Sequence, residues 1–199
     1  MSENKKVTSK EDLEVKKQLI KEERESLQLL LIQGTEDLIV DKGSDKYLDR
    51  LNEKVKLISG VEISLNEIRR VITANLQSHP SQFVLDFYIE IYRLMGWKDR
   101  DPSSYIKPKE VADITNEVIY GRFSKDILPT LQQMNYYVGF CVRAHRHYQF
   151  LNKDGIAQLS TYIDQAISTM KDCETYYQFR IKMFKEYGVP YQTELFRKN

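Results

Sequence analysis

From Ser9 onward the chain is dense in Lys and Glu, but Leu13, Ile20, Leu27 and Leu31 recur at helical spacing. Ser9 with Asp12 resembles a capping box, and Gly34 is a natural stop, which predicts a charged N-terminal helix. Leu48, Leu51, Val55 and Ile58 fit a second, short helix ended by Gly60. Ser64 and Glu67 form a cleaner capping box ahead of Ile68, Val71, Ile72 and Leu76. His79-Pro80-Ser81 breaks that helix and is the expected boundary between an N-terminal helical region, 1–80, and a C-terminal module, 81–199.

The strongest amphipathic stripe follows, made of Phe83, Phe87, Tyr88, Ile91, Leu94 and Met95 and closed by Gly96 and Trp97. A polar loop from Lys98 to Pro108 separates it from helices expected near 109–122, 125–134, 156–171 and 174–187. Val111, Ile114 and Val118, then Ile127, Leu128 and Leu131, then Leu159, Ile163, Ala166 and Met170, keep the 3.6-residue period. Pro129 sits in an early turn of its helix, where a kink is tolerable. The expected fold is mostly α: a compact multi-helix domain with an N-terminal charged helical extension.

One stretch is ambiguous. Val138, Phe140, Val142 and Ala144 alternate with Cys141, Arg143, His145 and His147, as a half-buried strand would require. The same residues also allow a helix with Arg143, Arg146 and His147 on one face, and the helical surroundings favour that reading.

Composition adds a constraint on this stretch. The 199 residues carry 29 Asp and Glu, yet none falls between Ile127 and Lys153, where an even spread would put about four. Arg143, His145, Arg146, His147, Tyr148 and Gln149 fill it instead, a basic and aromatic set suited to phosphates and bases. Arg forks onto phosphate oxygens, Gln pairs with base edges, and Tyr148 can stack. Net charge is only +1, so a nucleic-acid role rests on charge placement, not on bulk attraction. Asn116 and Arg122 share one predicted helix and are candidate companions of the window; a structural bond of Asn116 to neighbouring backbone or to Arg122 is the favoured reading.

Other chemistry is sparser. Cys141, His145 and His147 have no familiar zinc spacing and lack a fourth ligand unless Cys173 comes near, so no metal and no cofactor is expected. Asp126 and Asp154 flank the window and would have to approach His145 or His147 in a small metal-dependent hydrolase or nuclease. No catalytic motif is complete, which favours a binding protein over an enzyme. Two cysteines are too few for a disulfide framework, and no apolar run approaches the ~20 residues of a membrane span. The expectation is a soluble cytoplasmic protein.

Three blocks then carry a resemblance: FYIEIYRLMGW at 87–97, ITNEVIYGRFSKDILPTLQQMN at 114–135 and RAHRHYQFL at 143–151. Together they resemble the phage-associated P-sixty-three-C domain family over about 82–187. Matching positions include Phe87, Glu90, Arg93, Gly96, Trp97, Asn116, Tyr120, Arg122, Asn135, Gln149 and Leu151. Departures are Lys125-Asp126 where the family tends to have Pro-Gly, and Tyr148-Gln149-Phe150 where it tends to have His-Gln-Trp. The resemblance implies a phage or prophage regulatory protein associated with DNA in the bacterial host cytoplasm, with no established reaction. The alternative is a helical adaptor that binds a protein partner, or itself, through the N-terminal helix.

Overall fold

The computed structural model describes residues 10–36, 53–57, 59–139 and 142–190. Among them are seven α-helices: α1 Lys10–Glu36, α2 Leu65–Arg69, α3 Leu85–Leu94, α4 Lys109–Val118, α5 Ile127–Met134, α6 Lys153–Lys171 and α7 Tyr176–Tyr187. Two small antiparallel hairpins complete the fold, β1 Lys54–Lys56 with β2 Glu62–Ser64, and β3 Tyr137–Gly139 with β4 Val142–Arg143. The mostly α expectation holds.

The amphipathic stripes converge as their periodicity requires. Phe87 and Ile91 of α3 pack against α6, whose Leu159, Ile163, Ala166 and Met170 are buried, and α6 in turn meets Phe179 and Met183 of α7. Helix ends are closed by side chains. Asn152 Oδ1 accepts from Gly155 N–H at the start of α6, at 2.9 Å. Thr175 and Gln178 form a reciprocal capping box on α7, which ends at Gly188 in the left-handed region, φ 68°. Arg93 closes the other end of α6, donating to Met170 O at 2.6 Å and Cys173 O at 2.9 Å while Glu90 holds its guanidinium.

Three sequence expectations need correction. Val55 lies in β1, not in a helix: Lys54-Val55-Lys56 pairs with Glu62-Ile63-Ser64, and the period of two, with Lys56 opposite Glu62, decides the structure. Leu48, Leu51 and Ile58 lie outside the described residues, as does Ser9. The helix expected over 64–76 stops at Arg69, and Ser64 does not cap it with its side chain. Its backbone N–H donates to Asp126 Oδ2 instead, at 2.8 Å. Beyond Arg69, the β-branched run Val71-Ile72-Thr73 is drawn into extended pairing: Ile72 bridges Leu151, Thr73 N–H donates to Phe150 O, and Gln77 N–H to Gln149 O. Asn152 completes the seam, with its N–H to Val71 O and its side-chain amide to Arg70 O. The third correction concerns the ambiguous stretch. It is strand at 137–139 and 142–143, followed by a 3₁₀ turn at His147–Phe150, so the helical reading fails there and the alternation prevails. Phe140 and Cys141 lie outside the described residues.

Helix α1 runs two residues past Gly34 and touches the body with its second half only. Leu27 and Leu31 are buried, Leu30 O accepts from Arg69 Nη2 at 2.8 Å, and Arg24 lies 4.3 Å over the Tyr136 ring. A single hydrophobic core joins these residues with α3 to α7, drawing on both sides of Pro80. No helix of the described residues is long and apolar enough to cross a membrane.

Candidate nucleic-acid interface

The window's geometry starts at the end of α5. Asn135 leaves the helix fully buried and clamps the chain that returns from the hairpin: its Oδ1 accepts from His145 N–H at 3.0 Å and its Nδ2 donates to His145 O at 2.7 Å. Those two bonds fix the orientation of the amide. Its Nδ2 also lies 3.3 Å from His147 Nδ1, which must therefore accept, leaving the imidazole proton on Nε2. The His147 ring packs edge-on against Tyr120, with centroids 5.4 Å apart. Burial, aided by the nearby Arg143 charge, pushes the His147 pKa down to about 3, so this imidazole is neutral at physiological pH.

Arg143 also faces inward. Its Nη1 donates to Gln132 O at 2.9 Å and to Asn135 O, and its Nη2 donates to Tyr137 Oη at 3.1 Å, with the guanidinium 4.1 Å above that ring. It thereby closes the C-terminal carbonyls of α5, where a cation is electrostatically favoured. Gln149 holds the following turn, its Oε1 accepting from Arg146 N–H at 2.9 Å. His145 is half-buried with its ring edge-on to Phe150, and Tyr148 is half-buried near Phe83.

Arg146 points out. It is exposed, with Cζ 5.8 Å from the ring centroid of Tyr105, itself 86% exposed on the 98–108 loop. On the same loop, Lys107 places Nζ 4.4 Å from the ring of Tyr88. Burial raises the Tyr88 phenol pKa and the Arg146 charge opposes the rise. The 98–108 loop thus sets Tyr105 beside Arg146 and Lys107 over Tyr88, a basic-aromatic surface. On the same loop Asp101 accepts from both Ser103 N–H and Ser103 Oγ, and those bonds hold its carboxyl below the usual range. Tyr105 and Lys107 were missed in the sequence. The available signal was an aromatic and a cation in a polar, proline-bounded loop with no apolar partner of their own.

Arg122 makes its contacts away from this surface. Arg122 is sandwiched between the rings of Tyr162 and Tyr187, at 4.2 and 4.4 Å, and donates to Tyr162 O and Gln165 Oε1. It is thus turned onto α6 and α7. Asn116 is half-buried, its backbone carbonyl facing Gly121. Asp126 is buried on Ser64, and Asp154 lines a separate cleft of about 620 Å³ with Glu67, Arg70 and Gln158. Among the described residues, no group of three His, Cys, Asp or Glu is placed to hold a metal ion.

Comparison with curated proteins and with solved structures gave no match. Residues 68–159 match the P-sixty-three-C domain. That span begins before Pro80 and ends within α6, and it contains the Asn135 clamp, the hairpin and the Arg146 turn. The order of the three blocks and the helices they form agree with this match: residues 68–159 are similar to the P-sixty-three-C domain, a phage-associated family.

Proposed function

We propose that this is a phage-type regulatory protein that binds single-stranded nucleic acid through the surface of Arg146, Lys107 and Tyr105. The observation that carries the reading is Arg146 standing exposed beside Tyr105, on a stretch of chain without carboxylates. Arg146 and Lys107 would meet phosphates, and the exposed Tyr105 ring would stack on an unpaired base. Arg143, His147 and Gln149 hold the turn that presents Arg146, and Tyr148 lies beneath it. Such a protein acts in the bacterial host cytoplasm, where phage nucleic acid is found.

Fluorescence anisotropy with labelled single-stranded DNA, single-stranded RNA and duplex DNA, each over a salt series, tests the reading. Binding to a single strand should weaken with salt. Arg146→Ala with Lys107→Ala should flatten the log–log slope by about 1.4, at about 0.7 per lost phosphate contact. Tyr105→Ala should weaken binding by about tenfold with the slope unchanged. Absence of binding at low salt, or affinity indifferent to all three substitutions, ends the proposal.

A further inference from the structure

Tyr88 and Tyr148 hold donors that the fold itself does not use. Both are half-buried, and each ring packs near Phe83, with a centroid separation of 6.5 Å in both cases. Among the described residues neither hydroxyl has a hydrogen-bond partner, whereas the Tyr137 hydroxyl accepts from Arg143 and the Tyr176 hydroxyl from Arg180. Neither is sealed from solvent: the buried side-chain atoms left without a partner, among the described residues, are Arg69 Nε and Asp126 Oδ1. A phenol is a donor at neutral pH, and burial keeps Tyr88 in that state by raising its pKa.

The charges beside these hydroxyls are also uncommitted. Lys107 Nζ stands 4.4 Å from the Tyr88 ring centroid and donates to Ser104 O, which uses one of its three protons. Its charge also favours the Asp101 carboxylate, which Ser103 already occupies. The Arg146 charge acts on the Tyr88 phenol, and its guanidinium forms no ion pair among the described residues. Two cations and two hydroxyls exceed what an internal phosphate can use. A phosphodiester carries one charge, whereas a phosphomonoester at a strand end carries about −1.5 to −2 at pH 7 and three acceptor oxygens. The recess selects the same group. Half-buried hydroxyls are reached by a phosphate that projects from the end of a strand, not by one flanked by sugars on both sides.

We propose, resting on the single-strand reading above, that Arg146, Lys107, Tyr88 and Tyr148 hold a terminal phosphomonoester, with Tyr105 stacked on the neighbouring base.

Fluorescence anisotropy of the full chain with one internally labelled single strand tests this, the strand ending in a 5′-phosphate, a 3′-phosphate or hydroxyls only. One phosphorylated end should bind about tenfold tighter than the hydroxyl-ended strand, the gain expected of charge-assisted hydrogen bonds, and which end does so gives the polarity. Tyr88→Phe with Tyr148→Phe deletes only the two hydroxyls and should abolish that preference with thermal unfolding retained. Equal affinity for the three strands overturns the inference and leaves the single-strand reading intact. So does a preference that survives the double substitution. Failure to bind any strand ends both.

Discussion

Asn135 donates to His147 Nδ1 across 3.3 Å while the same amide holds both backbone groups of His145. Protonating His147 would set one donor against another inside a buried site that already faces the Arg143 charge.

A pH dependence follows. In the unfolded chain this histidine binds its proton near pH 6.5, whereas in the folded protein it resists until about 3. The unfolded state therefore holds more protons in that interval. The contribution of His147 to stability is complete above about pH 6.5 and is lost as pH falls toward 3, with a slope of up to about 1.4 kcal/mol per pH unit. Urea denaturation of the protein and of His147→Gln at matched pH values isolates it from the carboxylates. The difference in stability between the two should shrink steadily as pH is lowered from 7 to 4.5, and a constant difference would refute the assignment.

Arg122 should behave as a structural clamp. Its guanidinium is held between two tyrosine rings and bonds two acceptors on α6. Arg122→Ala should lower unfolding free energy by about 2–3 kcal/mol. Arg122→Lys should recover little of it, because an ammonium has neither the planar fork nor the stacking face. Denaturation midpoints with an unchanged m-value would report this, and full rescue by lysine would contradict it.

Among the described glycines, Gly155 has the closest neighbours. A Cβ there would lie 2.5 Å from Val71 O and 3.1 Å from Leu151 Cβ. Alanine is ordinarily the better helix residue by about 1 kcal/mol, yet here the clash with backbone should dominate. Gly155→Ala should destabilise by about 1–3 kcal/mol and speed hydrogen exchange at Asn152 N–H, which bonds Val71 O. A raised melting temperature would show that the seam yields more easily than its geometry suggests.

The helices α3, α4, α6 and α7 were legible because each buries a broad apolar stripe, and such a stripe writes its period into any window of the sequence. Val138 and Val142 were harder to read: they alternate as a strand does, yet stand 60% and 56% exposed, so no burial pattern reinforced the alternation. The truncation of α2 was invisible locally, since Ile72 finds its partner at Leu151, far along the chain. The site was legible in part. The missing carboxylates drew attention to Arg146, which stands exposed, but Tyr105 is brought beside it by tertiary packing, and Lys107 lies on the same loop as Tyr105. Most of the polar positions that carry the family resemblance do another task. Arg93, Arg122, Asn135 and Gln149 bond backbone or neighbouring side chains and hold loops and helix ends in place.

The seam between 70–77 and 149–152 has a consequence for local unfolding. It ties segments 82 positions apart, Arg70 O bonded to the Asn152 amide and Val71 O to Asn152 N–H. The stretch between them is held as a closed loop whose two roots must open together, so neither can fray alone.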